Sequence, residues 1–226
     1  VADDIRISSS QIQYVEEHRW FRQNTSHAVM AQRIEPLDSF DDFPTPPWAT
    51  RALIEYVLDK PALASTTCLE PACGRGHMAR VLADYFGSVV AADVFDYGFG
   101  TVADFLATEY PDRSIDWVIS NPPYRLAEAF ILRALPIARH GVAMLVRTSF
   151  IESVGRYGRL FRPYPPAVLA QFTERVPMLR SRLDRDGSTA TAYAWIVWRR
   201  GHAGGTRLVW IPPCRKALER DGDYRP

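Results

Sequence analysis

The stretch Leu69-Glu70-Pro71-Ala72-Cys73-Gly74-Arg75-Gly76-His77-Met78 decides how this chain is read. A short apolar run, Thr67–Leu69, leads into it and an amphipathic stretch, Met78–Phe86, leads out, so the pattern is strand, glycine turn, helix. Glycine tolerates positive φ and lets a ligand approach the backbone, and open α/β sheets bind ligands where strands end in such turns. A Gly-x-Gly alone also fits a plain turn. Position 79, three after Gly76, is alanine, so the third glycine of a dinucleotide fingerprint is missing. A nucleoside ligand without a pyrophosphate suits the turn better.

Outward from this turn, short apolar runs alternate with amphipathic stretches. Strands are predicted at Ser88–Ala92, Ile115–Ser120, Val142–Val146, Ala167–Phe172 and Ala192–Trp198. Helices are predicted at Ala49–Leu58, with Leu53, Ile54, Val57 and Leu58 on one face, and at Leu126–Leu135. Such alternation specifies an α/β fold with a largely parallel sheet covered on both faces. No helix separates the last two strands, so they are expected to pair as an antiparallel hairpin. Their connection, residues 173–191, holds Arg175, Arg180, Arg182 and Arg185 and the turn-forming Asp186-Gly187. Residues 1–40 read as an extension with a helix near Ser10–Arg22, residues 41–205 as the domain, and residues 206–226 as a tail.

Composition bounds the rest. The chain has 226 residues, 47% apolar and 23% charged, enough for one ordinary domain with a sizeable core. No apolar run approaches the ~18–20 residues of a membrane span, and no signal-peptide pattern opens the sequence. Cys68, Cys73 and Cys214 do not make a disulfide framework, and their spacing with the histidines is not that of metal ligands. A soluble protein of a reducing cytoplasm, with neither membrane nor metal, is the expectation. The net charge of +1 conceals an asymmetry: residues 1–138 carry 11 Lys+Arg against 19 Asp+Glu, residues 139–226 carry 16 against 7. All basic residues but Lys60 and Lys216 are arginine, which suits a polyanionic partner at the C-terminal half as well as a merely solvated face.

Two features beyond the glycine turn bear on chemistry. Asp93 ends the second strand about 20 residues downstream, where a carboxylate accepts hydrogen bonds from a ribose diol. Asp104-Phe105 then offers an acceptor for an adenine amino group and an aromatic face, although Asp104 also reads as a helix cap. At the end of strand Ile115–Ser120 stands Asn121-Pro122-Pro123-Tyr124. The prolines stop the strand and turn the chain rigidly, holding the Asn121 carboxamide oxygen and the Pro122 carbonyl as paired acceptors beside the Tyr124 ring. An aryl or amide NH2 is a poor nucleophile because its lone pair is delocalised; two acceptors on its hydrogens favour pyramidal nitrogen and aim the lone pair at an electrophile.

In this order, Phe43-x-Thr45-Pro46, Glu70-Pro71-Ala72-Cys73-Gly74-x-Gly76, Asp93, Asp104-Phe105 and Asn121-Pro122-Pro123-Tyr124 resemble class I S-adenosylmethionine-dependent methyltransferases. More narrowly, they resemble small phage- and prophage-type DNA adenine-N6 methyltransferases. The likeness covers roughly residues 42–200. It implies a Rossmann-like, mostly parallel seven-stranded sheet. It also implies a cofactor, S-adenosylmethionine, held by Phe43, Thr45 and Pro46 at its methionine end and by Glu70, Pro71, Ala72, Gly74 and Gly76. Asp93 and Val94 would lie at the ribose, and Asp104 and Phe105 at the adenine. Asn121, Pro122, Pro123 and Tyr124 would form the catalytic turn, with a flipped adenine of DNA as substrate. Phe150, Arg156, Arg159, Arg175, Arg180, Arg182 and Arg185 are the candidate substrate contacts. The chain departs from larger relatives in lacking a separate target-recognition domain, its short insert at 173–191 standing in that place. Rival readings are methylation of an RNA adenine or a protein glutamine amide, and a catalytically silent nucleic-acid-binding subunit.

Overall fold

A computed structural model describes residues 42–224, which belong to one compact unit. The helix expected at Ser10–Arg22 lies outside them. Pro46-Pro47 opens helix α1 (Pro47–Tyr56), proline being suited to the first helical position because its missing N–H has no partner there. There follow β1 (Thr67–Glu70), α2 (His77–Ala83), β2 (Ser88–Asp93), β3 (Thr101–Val102), β4 (Ile115–Ser120) and α3 (Ala127–Ile137). The chain continues through β5 (Ala138–Arg147), a short helical segment beginning with α4 (Val154–Arg156), β6 (Val168–Phe172), β7 (Tyr193–Arg199), β8 (Arg207–Ile211) and α5 (Arg215–Leu218).

The strands form one sheet in the order β3-β2-β1-β4-β5-β7-β6-β8. From β3 through β5 neighbouring strands run parallel; β7 is antiparallel to both β5 and β6, and β8 is parallel to β6. The expected antiparallel pair is therefore present, with its second strand slotted between β5 and the first. Alternation along the strands sorts the core into two layers. Trp117, Ile119, Ala143, Leu145, Trp195 and Val197 face one cluster with α1 and α2; Val118, Val142, Met144 and Ile196 face another with α3. Leu53, Ile54, Val57 and Leu58 of α1 are all buried in the first.

Several boundaries differ from the sequence reading, each for a local reason. The sheet has eight strands among the described residues, not seven. Thr101–Val102 is too short and too exposed to show a period. Arg207–Ile211, assigned to a tail, is an edge strand whose burial is confined to Ile211, so it lacked the signature of a core strand. Residues 206–224 are accordingly part of the domain: Asp223 makes a two-pronged ion pair with Arg51 of α1, at 2.7 and 2.8 Å, and both side chains are buried. Strand β5 begins four residues before the predicted Val142. A register shift between Ile115 and Trp117 breaks the alternation there and leaves Arg139 and His140 exposed. Helix α2 ends at Ala83, and the N–H groups of Tyr85 and Phe86 close tight turns onto Leu82. No helix among the described residues is long and apolar enough to cross a membrane, and no cluster of His, Cys, Asp or Glu there has the arrangement to hold a metal.

Candidate functional site

Chain order runs outward from β1 to β3, then jumps back across β1 to β4, placing the topological switch between β1 and β4. The carboxyl ends of those strands carry Glu70 and Asn121, and a cavity of about 210 Å³ opens over them. Phe43, Thr45, Glu70, Pro71, Ala72, Gly74, Asp93, Val94, Asp104, Phe105, Asn121 and Pro123 all line it, so most of the predicted cofactor and catalytic positions converge on one space. Four are absent from its walls. Pro46 is the buried cap of α1, Gly76 caps the start of α2, Pro122 is buried, and Tyr124 is half-buried beside Phe43.

The turn after β1 has the geometry its glycines suggest. Gly74 has φ +50° with nothing within 4 Å of where a Cβ would stand, so the backbone is bare toward the cavity. Gly76 has φ +81°, and a Cβ there would meet the Phe99 ring at 2.5 Å. The Gly74 N–H donates to Asp93 Oδ2 (2.8 Å) and the Phe95 N–H to Oδ1 (3.1 Å), tying the turn to the end of β2. Glu70 is buried, and its Oε2 has no hydrogen-bond partner in the chain. Burial, reinforced by the Asp93 charge, pushes the Glu70 carboxyl well above its ordinary range. Burial likewise raises Asp93 against the pull of its backbone donors, and the Cys73 thiol, beside both carboxyls, is pushed up to about 12. His77 is lowered by burial and by Arg80 and Arg75. A cation entering the cavity relieves the two carboxyls at once.

Asp104 and Phe105 sit less simply than the sequence suggested. Asp104 Oδ1 accepts the Leu106 N–H (2.9 Å), so the carboxylate caps its own turn. The Phe105 ring, 2% exposed, packs against Phe130 (5.1 Å between centroids) and Tyr110 (5.8 Å) and forms a wall of the cavity rather than a free face. Sequence reasoning missed Asp42, His77, Phe95 and Tyr97, which also line the space. The aromatic pair directly after Asp93 was the available signal.

At the β4 end, Asn121 Nδ2 donates to the Phe43 carbonyl (3.0 Å), joining the two most separated motifs. Its Oδ1 is thereby aimed, and it is buried without a partner. Beside it the Tyr124 ring lies 5.2 Å from Phe43 and beneath the Arg147 guanidinium, 4.0 Å from the ring centroid. The Tyr124 hydroxyl meets that of Tyr193 on β7 at 2.9 Å. One face of Tyr124 is thus covered by a planar cation, an arrangement invisible in the sequence because Arg147 is 23 residues away.

None of the candidate substrate residues lines this cavity. Phe150 is buried; Arg156 Nε donates to its carbonyl (2.6 Å), and Arg159 pairs with Glu128. Arg175 braces the insert through the Ala190 carbonyl (2.9 Å), Arg182 approaches Asp184 (3.8 Å), Arg185 approaches Asp221 (3.9 Å), and Arg180 is exposed. The insert nonetheless reaches the cavity rim, since the Ser181 N–H donates to the Asp42 carbonyl (2.8 Å).

Comparison with solved structures bears on the fold that carries this cavity. A methyltransferase subunit of a type I restriction-modification system from Streptococcus thermophilus superposes with a TM-score of 0.57 at 11% identity, covering 75% of this chain and 47% of its own. A candidate RNA methyltransferase from Pyrococcus horikoshii gives 0.56 at 13%, covering 76% and 96%. A modification subunit of a candidate type I restriction enzyme from Vibrio vulnificus gives 0.55 at 14%, covering 97% and 55%. The chain has the Rossmann-like methyltransferase fold. At these identities the likeness is one of fold, and the chain spans about half the length of the two restriction-modification subunits it matches. No protein-family model and no curated protein sequence matches the chain. In the methyltransferase fold the space over β1 and β4 is the one the switch point creates, and here the acidic residues and Asn121 meet in it.

Proposed function

We propose that this chain is an S-adenosylmethionine-dependent amino-methyltransferase acting on the N6 of adenine in DNA. The observation that carries the reading is the Asn121 side chain, clamped through Nδ2 to the Phe43 carbonyl while its buried oxygen stays unpartnered at the cavity. A buried acceptor without a donor costs about 1–3 kcal/mol, and a substrate amino group arriving there removes that cost.

The residues present suit the cofactor. S-adenosylmethionine is cationic at sulfur and at its α-amino group, and the cavity offers Glu70, with an orphaned oxygen, and Asp93, both disfavoured as bare anions. Gly74 leaves the backbone open where an aminoacyl or ribose group comes close. Phe43 and Thr45 would flank the methionine end, Asp93 the ribose, Asp104 and Phe105 the adenine. When bound, the cofactor supplies an electrophilic methyl group and is released as S-adenosylhomocysteine. The chain's own residues do the rest. Asn121, and the Pro122 carbonyl if it turns to the cavity that Pro122 itself does not line, would accept from the target NH2 and direct its lone pair; positioning replaces a strong base, and the proton leaves to water once nitrogen carries the methyl group. A base stacking on Tyr124 takes the place over the ring that Arg147 now holds.

Turning an adenine out of a duplex costs a few kcal/mol, which phosphate contacts from the arginine-rich C-terminal half help to offset. The restriction-modification subunits among the fold neighbours support DNA, and the candidate RNA methyltransferase keeps RNA as the competing substrate. The test is to incubate the chain with methyl-labelled S-adenosylmethionine and a panel of duplex DNA, single-stranded DNA, RNA and protein, then digest to nucleosides. Labelled N6-methyldeoxyadenosine is expected. Label in RNA or glutamine reassigns the substrate, and no label in any sample leaves a silent binding subunit.

A further inference from the structure

The segment between β5 and β6 presents apolar side chains to solvent on a rigid mount. Ser153 Oγ accepts the Arg156 N–H (3.3 Å) and starts α4, and the chain runs on through a wide turn in which the Arg162 N–H reaches the Tyr157 carbonyl (2.8 Å). Leu160 and Phe150 turn inward and are buried. Val154 and Tyr157, three residues apart and so neighbours on one helical face, turn outward, 93% and 62% exposed. Isolated apolar side chains at a surface are ordinary. This pair is different in its position and its surroundings.

The mount is fastened beside the proposed catalytic turn. Arg159 grips both oxygens of Glu128 (2.6 and 3.0 Å), and Glu128 lies in the first turn of α3, which begins just after Asn121–Tyr124. Gly155 leaves the space this grip needs, since a Cβ there would lie 3.0 Å from the Arg159 guanidinium. On the other side Arg156 bonds the Phe150 carbonyl and covers the Phe150 ring at 4.5 Å, only a few residues beyond the Arg147 that caps Tyr124. Residues 148–162 carry three arginines against Glu152, and with Arg159 neutralised by Glu128 an excess of positive charge remains on the segment through Arg156 and Arg162.

We infer that Val154 and Tyr157 are a strand-opening wedge: they enter the base stack of a duplex beside the target and occupy the space vacated as the adenine turns toward Asn121. This rests on the nucleic-acid reading above and deepens it. Apolar side chains inserted between base steps unstack them, and an aromatic ring stacks on any base without reading its edge. Arg162, exposed five residues beyond Tyr157, suits a flanking phosphate. A protein partner would find the same apolar pair attractive but would have no use for the excess of positive charge. The wedge acts only where a stack must be opened, so its effect belongs to duplex substrate.

The full chain and its Val154→Ala/Tyr157→Ala variant are compared on unmethylated genomic DNA, native and heat-denatured, with methyl-labelled S-adenosylmethionine. Both side chains are exposed, so unchanged circular dichroism and melting temperature are expected. Transfer to native DNA falls about 5- to 150-fold, the worth of one base–aromatic stack, while transfer to denatured DNA stays within about twofold. Equal losses on both forms, or no loss on either, overturn the wedge and leave the methyltransferase reading intact. Wild-type protein that labels neither form overturns the DNA reading instead, and the wedge with it.

Discussion

Replacing Asn121 by alanine separates chemistry from folding, because the structure predicts opposite-signed changes in stability that nearly cancel. The variant loses the Nδ2 hydrogen bond to the Phe43 carbonyl, about 1 kcal/mol, and leaves that carbonyl short of a donor. It also removes an Oδ1 that is buried without a partner, relieving a desolvation cost of about 1–3 kcal/mol. The net shift is within about 2 kcal/mol, at most about 4–8 °C in melting temperature for a domain of this size. Loss of a preorganised acceptor at the reacting nitrogen has no such offset and lowers the transfer rate about 10²–10³-fold, roughly 2.7–4 kcal/mol. Single-turnover transfer to unmethylated DNA measures the rate, and calorimetric titration with S-adenosylhomocysteine measures cofactor affinity, expected to be unchanged. A rate within about tenfold of wild type, or an affinity that falls as far as the rate, would falsify the assignment.

The carboxyl at Glu70 gives a pH signature in the ligand-free protein. Its value is raised in the fold, so its contribution to stability is fully present below the ordinary carboxylate range and is lost as pH rises through the raised value. Wild type should therefore fall progressively behind Glu70→Gln in melting temperature as pH rises above the ordinary carboxylate range, and a constant difference refutes the burial argument. Gly76→Ala places a side chain at positive φ and against the Phe99 ring; a loss of about 1–2 kcal/mol from the backbone alone is expected in urea titrations, and unchanged stability would mean the turn tolerates a Cβ. Arg51→Ala strands Asp223 in a buried place and should cost about 3–5 kcal/mol, whereas Arg51→Met with Asp223→Leu should recover most of it. Equal losses in both variants would assign the effect to packing rather than to the uncompensated charge.

Much of the parallel half of the fold was legible along the chain, because each element there carries its own period. Ile115–Ser120 was placed to the residue, and the buried face of α1 was read from Leu53, Ile54, Val57 and Leu58. What escaped is what lacks a local signal. A two-residue strand shows no alternation, an edge strand such as Arg207–Ile211 is half exposed by nature, and the bulge opposite Ile115 breaks the period of β5.

The site divides the same way. The sequence by itself determined the kinds of group available and the two rigid turns that bear them, since prolines and glycines restrict the backbone through their own covalent geometry. Only the tertiary structure decided that the Phe43 carbonyl clamps Asn121, that Arg147 lies over Tyr124, that the Phe105 ring belongs to the core, and that Arg159 fastens the Val154–Tyr157 face beside α3. These contacts join residues from 23 to 78 positions apart. Their partners are chosen by the order in which strands take their places in the sheet, which no local pattern encodes.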